Sequence, residues 1–307
     1  MIHIDESTTG HLRARFINPF YMEIQMKISV TLLSSYLYCS RKLFLEKVLM
    51  LEEPPKESLV MGTIRHGTYD MINKMEEAIV TSITKKMNLD DLKERYRKEY
   101  LKFLKKAIVE SKKRLNEVNL NALDAYRKSY PFIMEESMTR ANNIFSFVEA
   151  NNVFGKELWE KLTPKIMSEL RIESDELKLK GIIDQVHVYG NEYVPFELKT
   201  GKMPQDGVWP SHRIQLAAYS LLLQEKFKKP VKEGFVHYLD SRQKRQIVMN
   251  PYMADEVKQL VEEIIALLKG KDIPDFCSNE NKCRKCGLKQ TCYNEEEVNS
   301  LLKVKMS

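Results

Sequence analysis

The sequence predicts an α/β fold with a block of helices ahead of its sheet, and two patterns carry that prediction. From Lys165 to Met249, short runs rich in β-branched and aromatic residues alternate with turn signals. From Thr31 to Ala150, apolar residues instead recur at helical spacing. Composition agrees with a folded chain: of 307 residues, 43% are apolar and 30% charged, while 11 Gly and 11 Pro are too few for a collagenous or low-complexity protein. No run of about 18 apolar residues is present. The opening MIHIDESTTG lacks the charged-then-apolar layout of a secretory signal. A soluble, cytoplasmic protein with no membrane partner is the expectation.

Residues 1–27 show no sustained period and read as an arm or edge strand. Thr31 to Leu45 repeats Leu32, Leu33, Tyr36, Leu37, Leu43 and Phe44 at helical spacing and carries Cys39. Pro54 and Pro55 stop it, and a second helix from Ser58 to Val80 carries Gly62 and His66. Leu89 to Leu115 is a long amphipathic helix with a basic outer face that includes Lys102, Lys105 and Lys106. Between Thr81 and Arg114 twelve basic residues face five acidic ones, so this segment carries +7 against a whole-chain charge of +6. A further helix is expected from Pro131, suited to a first helical position, to Ala150, with Ile133, Met134, Met138, Ala141, Phe145 and Val148 inward.

Strands follow at 166–173, 177–188 and 193–199, separated by Ser174-Asp175 and Gly190-Asn191. A helix from His212 to Phe227, strands at 231–239 and 245–249, and a last helix capped by Asn250 and opened by Pro251 complete the core. The chain accordingly divides into an N-terminal arm with two helices (1–80), a basic helical insertion (81–164), an α/β core (165–270) and a cysteine-rich end (271–307).

Centring a two-residue hairpin loop on Gly190-Asn191 pairs residues whose numbers sum to 381, which sets Asp184 opposite Glu197. Cβ atoms so paired lie roughly 4.5–5.5 Å apart, where like charges repel. Lys199, two residues beyond Glu197, shares its face. Ile182, Ile183, Val186, Val194, Phe196 and Leu198 make both faces of these strands apolar, as in a covered sheet. A partly buried carboxylate pair requires a shared proton or a divalent cation, and oxygen ligands favour Mg2+ or Mn2+. The lysine would then orient or help deprotonate a water attacking a phosphodiester. Gln215 and Tyr219 share one helix face, as do Gly62 and His66.

Gly181-Ile-Ile-Asp184, Glu197-Leu-Lys199 and Gln215-Leu-Ala-Ala-Tyr219, preceded by Gly62-Thr-Ile-Arg-His66, resemble the RecB-like branch of the PD-(D/E)xK nucleases. The resemblance implies a restriction-endonuclease-like core, a central mixed sheet flanked by helices, with a helical insertion and a C-terminal iron-sulfur region. It also implies His66, Asp184, Glu197 and the Leu198 carbonyl as metal ligands, Lys199 as the catalytic lysine, and Gln215 and Tyr219 as supports of the site and the DNA. Pro195 departs from the pattern, since proline is tolerated in a strand only at an edge or bulge.

Five cysteines are present, four of them within sixteen residues. Cys283-x-x-Cys286 with Cys292 supplies three thiolates. A fourth comes from Cys277 or Cys39, and spacing leaves both the choice and the metal, zinc or iron-sulfur, open. The run from Tyr36 to Phe44 with the C-terminal triplet resembles the iron-sulfur nucleases, namely the fourth CRISPR-associated protein family and the AddB nuclease domain. That implies a [4Fe-4S] cluster on Cys39, Cys283, Cys286 and Cys292 with Cys277 spare, zinc or [2Fe-2S] being the alternatives.

The expected protein is a Mn2+- or Mg2+-dependent 5′ to 3′ exonuclease on single-stranded DNA ends. It would trim prospective spacers for the Cas-one/Cas-two integrase, a homo-oligomer being open. The basic helix, with Lys102, Lys105 and Lys106, would track the DNA backbone. A repair or recombination nuclease, and a non-catalytic iron-sulfur DNA-binding subunit, are the alternatives.

Overall fold

The structure is a computed structural model that describes residues 26–306. The expected arm at 1–27 lies almost wholly outside these residues. The chain begins with β1 (Ile28–Ser29), α1 (Val30–Tyr38) and α2 (Ser40–Lys47). A helical block follows: α3 (Glu57–Thr81), α4 (Leu89–Glu110), α5 (Lys112–Glu117), α6 (Ala122–Asn151) and α7 (Gly155–Lys161). Next come β2 (Lys165–Ser174), β3 (Leu179–Tyr189), β4 (Glu192–Lys199), α8 (Pro210–Phe227), β5 (Glu233–Tyr238), β6 (Gln243–Val248) and α9 (Pro251–Lys269). Three short helices, α10 (Glu280–Arg284), α11 (Lys289–Tyr293) and α12 (Glu295–Met306), end it. No helix among the described residues is long and apolar enough to cross a membrane.

Four helical expectations are corrected, the first being the single helix expected from Leu89 to Leu115, which is broken at Ser111 into α4 and α5. The run from Thr31 to Leu45 is two helices, because Cys39 is extended (φ −169°, ψ 107°), ending α1 and capping α2 through its sulfur, which accepts from the Lys42 N–H. Pro131 does not open a helix but lies inside α6, which starts nine residues earlier behind the Asn121 cap. Met138 is 47% exposed instead of inward. The Asn250 cap and the Pro251 start of α9 stand as read.

The six strands form one mixed sheet in the order β1-β3-β4-β5-β6, with β2 on the other edge of β3. The β3–β4 hairpin has the expected register, from Tyr189↔Glu192 to Gln185↔Phe196. Beyond that pair β4 leaves β3 and runs parallel to β5, Phe196↔Phe235 to Lys199↔Tyr238. β1 meets the same edge of β3 only at Leu179 and Lys180. Residues 181–184 of β3 therefore lack a strand neighbour on that edge, and the sheet is split there.

Two cores cover the faces. One joins the helical block to Leu198 and includes Ile64, Tyr96, Tyr100 and Ile144. The other joins α1, α8 and α9 to Ile183 and Val186. Ile182 is 39% exposed, so the sheet is less completely covered than its sequence suggested.

The helical block is tied to β2 by Arg140, a guanidinium fully buried on α6. It donates to the Ile166 carbonyl and to Ser168 Oγ, both at 2.9 Å, and to Glu136 at 2.7 Å. Glu76, whose carboxyl is pushed up by burial, lies 3.5 Å from the same guanidinium and accepts from Tyr96 and Tyr100. A buried cation is tolerable only when so fully paired.

Gly181 sits at the split because a side chain would not fit: a Cβ there would stand 2.7 Å from the Tyr219 ring and 3.1 Å from Val30. Tyr219 is fully buried and has no room to yield. Gly181→Ala is expected to cost about 1–3 kcal/mol, the usual penalty of overpacking, read as a lower urea midpoint with an unchanged slope.

Candidate active site

Asp184 stands at the split in β3, and two further acids flank it at the same level of the sheet. Continuing the β3–β4 register puts Glu197 opposite it on one side. On the other, the β2–β3 pairs Ser168↔Gln185 and Leu170↔Ile183 bracket Glu169 opposite Asp184. Neither position is a regular ladder pair. Glu169 has φ +52°, a left-handed conformation that is strained for a residue with a side chain.

Both strands also reset their alternation here. In β3, Ile183 and Val186 both face the α8 side while Gln185 reaches Glu136 on α6. In β2, Met167 and Leu170 face the α8 side while Ser168 meets Arg140. Arg140 and Asn73, whose Oδ1 accepts from the Ser168 N–H, hold the chain just before the kink. The split and the kink together let side chains from both helical layers converge on one point.

His66 comes from α3, its Nδ1 2.8 Å from Glu169 and 3.6 Å from Asp184. The ligand atoms of His66, Glu169 and Asp184 lie within 4.8 Å of one another. Asp184 Oδ2 accepts the Leu198 N–H at 2.7 Å, which ties the two strands across the split. From the other face, Gln215 of α8 acts as a clip: its amide donates to Glu197 at 2.7 Å and to the Tyr219 hydroxyl at 3.2 Å. Its carbonyl oxygen accepts from Lys199 at 2.9 Å and from Ser34 of α1 at 3.2 Å. Lys199 also donates to Glu197 Oε1 at 2.7 Å.

Burial, then the neighbouring Asp184 charge, raise the Glu197 carboxyl to about 7. Burial also raises Glu169, and the hydrogen bond that His66 gives to the Glu169 carboxylate raises His66. Arg65, beside His66, adds positive charge near Glu197 and Glu169.

Glu197 Oε2 is buried and has no hydrogen-bond partner among the described residues. A buried carboxylate oxygen left unpaired costs free energy unless something coordinates it. His66, Glu169 and Asp184 offer one imidazole and two carboxylates, a set that fits a hard divalent cation such as Mg2+ or Mn2+, and Glu197 stands near Asp184 outside that closest set. His66, Asp184, Glu197, Lys199, Gln215 and Tyr219 thus converge. Glu169 is an addition that the sequence reading missed. The β2–β3 turn spans 175–178 instead of centring on Ser174-Asp175, and the register from that turn would have set Glu169 opposite Asp184. Lys102, Lys105 and Lys106 lie on the exposed side of α4, with Lys102 and Lys106 paired to Glu99 and Glu110.

All five cysteines line a second cavity, between the α1–α2 junction and the C-terminal helices. Phe44, Leu45 and Leu49 pack there against Leu288 and Val298, joining the two ends of the described chain. Arg41, buried, donates to Cys292 Sγ at 3.3 Å and to the Pro274 and Cys292 carbonyls, and lies 3.8 Å from the Phe276 ring centroid. Thiols around one cavity, with cationic and N–H donors behind them, suit a thiophilic metal or an iron-sulfur group, although the sulfurs do not stand as close together as the ligand atoms of the acidic cluster. The geometry leaves Cys277 in the set, so five thiols face the cavity.

A sequence model of the PD-(D/E)XK nuclease superfamily matches residues 27–293. A CRISPR-associated exonuclease Cas4/endonuclease Cas1 fusion of Leptospira interrogans is 28% identical over 151 residues, which are 46% of this chain and 28% of the fusion. The CRISPR-associated exonuclease Cas4 of Francisella tularensis subsp. novicida is 28% identical over 123 residues, 40% of this chain and 60% of that protein. The DNA replication ATP-dependent helicase/nuclease JHS1 of Arabidopsis thaliana is 26% identical over 158 residues, 45% of this chain and 12% of that protein. The chain thus matches less than two thirds of the length of each of these relatives.

If the acidic cluster holds a divalent cation, Mn2+ will raise the melting temperature of the protein. A ligand that binds only the folded state contributes about 2.7 kcal/mol at a hundred times its Kd. Asp184→Asn is expected to abolish that Mn2+-dependent rise in a thermal melt, and Glu169→Gln to reduce it.

Proposed function

The chain belongs to the PD-(D/E)XK nuclease superfamily, and from that membership we infer that it is a divalent-metal-dependent DNA exonuclease of the CRISPR-associated Cas4 type. The reading rests foremost on the unpartnered, buried Oε2 of Glu197 beside Asp184. In this reading His66, Glu169, Asp184 and Glu197 hold Mg2+ or Mn2+, with the Leu198 carbonyl assisting. When bound, the cation supplies Lewis-acid stabilisation of a phosphodiester under attack.

The remaining chemistry belongs to the chain. An ammonium has three N–H donors, and Lys199 spends two on Glu197 and Gln215. That pairing fixes its charge beside the acids and leaves the third donor to orient an attacking water or a phosphate oxygen. Gln215 holds the lysine and Glu197 at a set spacing, while Tyr219, buried under Gln215, keeps the clip from swinging away. Arg65 adds positive charge where a phosphate would approach, while His66 would hold the cation as a neutral imidazole.

Single-stranded ends are the proposed substrate, degraded 5′ to 3′, and trimming of DNA before its integration is the proposed role. The fusion of Cas4-named to Cas1-named segments in relatives supports Cas1 as a partner. The five-thiol cavity is proposed to hold a [4Fe-4S] cluster on Cys39, Cys283, Cys286 and Cys292, which would join the chain ends and leave Cys277 unligated.

With labelled single-stranded DNA and Mn2+, the wild-type chain is expected to cleave and EDTA to stop it. Asp184→Ala and Lys199→Ala should each lose at least about a hundredfold in rate, as removal of a group acting on the transition state does. Equal cleavage by all three proteins would sink the assigned site. Blocking the 5′ end should halt degradation, and blocking the 3′ end should not. Anaerobically purified protein should contain iron and acid-labile sulfide with visible charge-transfer absorption. Cys286→Ala should lose them and Cys277→Ala should keep them. Stoichiometric zinc in a colourless protein would overturn the iron-sulfur assignment.

A further inference from the structure

A groove of about 280 Å3 runs from Lys199 along the seam between α1 and α8. Ser34 and Ser35 line it from α1, and Ser211 and His212 from the start of α8. Ser34 Oγ donates to the Ser211 carbonyl at 3.0 Å and to Gln215 at 3.2 Å, so the groove's base is built into the clip that holds Lys199. Tyr38 and Lys42 line both this groove and the thiol cavity, so it leads from the acidic cluster toward the cysteines.

Its lining is rich in donors. The Ser211 hydroxyl has no partner among the described residues, and Lys199 has one N–H left. The Tyr238 hydroxyl accepts from the Trp209 N–H and lies 3.1 Å from His212 Nδ1. Where the Tyr238 hydroxyl gives its proton to Nδ1, Nε2–H is the donor that the neutral imidazole presents. Burial, then the Lys199 charge, lower His212 to about 4, so the ring stays neutral at physiological pH. The single carboxylate on the lining, Glu46, is already tied to Lys42 at 2.6 Å. Tyr38, 43% exposed, stands at the far end with the Lys282 ammonium 4.8 Å from its ring centroid on one face, so a base would use the opposite face.

We propose that this groove is the subsite for the nucleotide adjoining the scissile phosphodiester, with its phosphate on Lys199, Ser211 and His212 and its base on Tyr38. The proposal rests on the nuclease reading and sharpens it. Phosphate donors followed by an aromatic platform are how single strands are held without base readout. The volume, about 280 Å3, is close to the lower limit of small-ligand sites, about 300 Å3, and suits one nucleotide.

The test separates binding from cleavage. Fluorescence anisotropy with a labelled single-stranded oligonucleotide in EDTA measures binding, and initial rates in Mn2+ give kcat and KM. Ser35→Trp, which fills the groove, is expected to weaken binding and raise KM at least tenfold while changing kcat less than threefold. His212→Phe, which keeps the ring volume and loses the donor, should weaken binding three- to tenfold and covers the case in which Ser35→Trp does not fold. Unchanged affinity in whichever of these variants folds, or no binding by the wild type, overturns the subsite. A wild type that binds through the groove yet never cleaves overturns the nuclease reading and leaves the subsite standing.

Discussion

Three carboxylates at one level of a sheet are the constraint around which this fold is arranged. Glu169, Asp184 and Glu197 would repel one another as directly paired neighbours in a regular ladder. The sheet avoids that arrangement locally: β4 departs from β3 after Phe196, and β2 kinks through a left-handed Glu169. These departures cost backbone pairing and strain, so other contacts must hold them. Arg140 and Asn73 fix the chain ahead of Glu169, the Leu198 N–H replaces a ladder bond at Asp184, and Gln215 immobilises Glu197. Strain that persists only because its surroundings dictate it marks a place where geometry serves something other than stability.

The two helical layers have complementary tasks at this point. The helical block delivers His66 and, through Arg140, supports β2. The α1–α8 layer delivers Gln215 and Tyr219, with Ser34 joining the two helices at the clip. α1 then ends at Cys39, and Arg41 on the next helix reaches Cys292 and Pro274. Only a few residues separate the hydroxyl that touches the clip from the first thiol of the cavity. A shift of α1 caused by loss of the thiol-lined closure would therefore be felt at Gln215 through Ser34.

Much of this was legible in the sequence because local rules applied to it. The Gly190-Asn191 turn fixed the β3–β4 register, and period-two alternation put Glu197 and Lys199 on one face. Glu169 was not legible for the opposite reason: its turn, 175–178, carries no short hairpin signal, and alternation fails at the residue itself. Pro131 misled because a proline is compatible with a first helical turn and here is accommodated inside α6 by tertiary packing. Cys39 interrupts helical periodicity without any breaker residue, since the extended backbone there is set by the sulfur-capped start of α2. Arg140, an arginine in an otherwise amphipathic pattern, gives no hint that it is fully buried.

The charge pattern separates long-range attraction from short-range admission. The +7 between Thr81 and Arg114 looks like a track for a polyanion. On α4, however, Arg97, Lys102 and Lys106 pair with glutamates on their own helix, which reduces the field they project. At the acidic cluster the local balance is reversed, because three carboxylates meet Lys199, Arg65 and a histidine. That charge opposes the scissile phosphodiester itself, while the Ser211 and His212 donors of the Lys199 groove stand clear of the carboxylates for the adjoining nucleotide. A bound divalent cation would neutralise the carboxylates and supply Lewis-acid polarisation, so its occupancy would couple placement of the scissile phosphodiester to competence for hydrolysis.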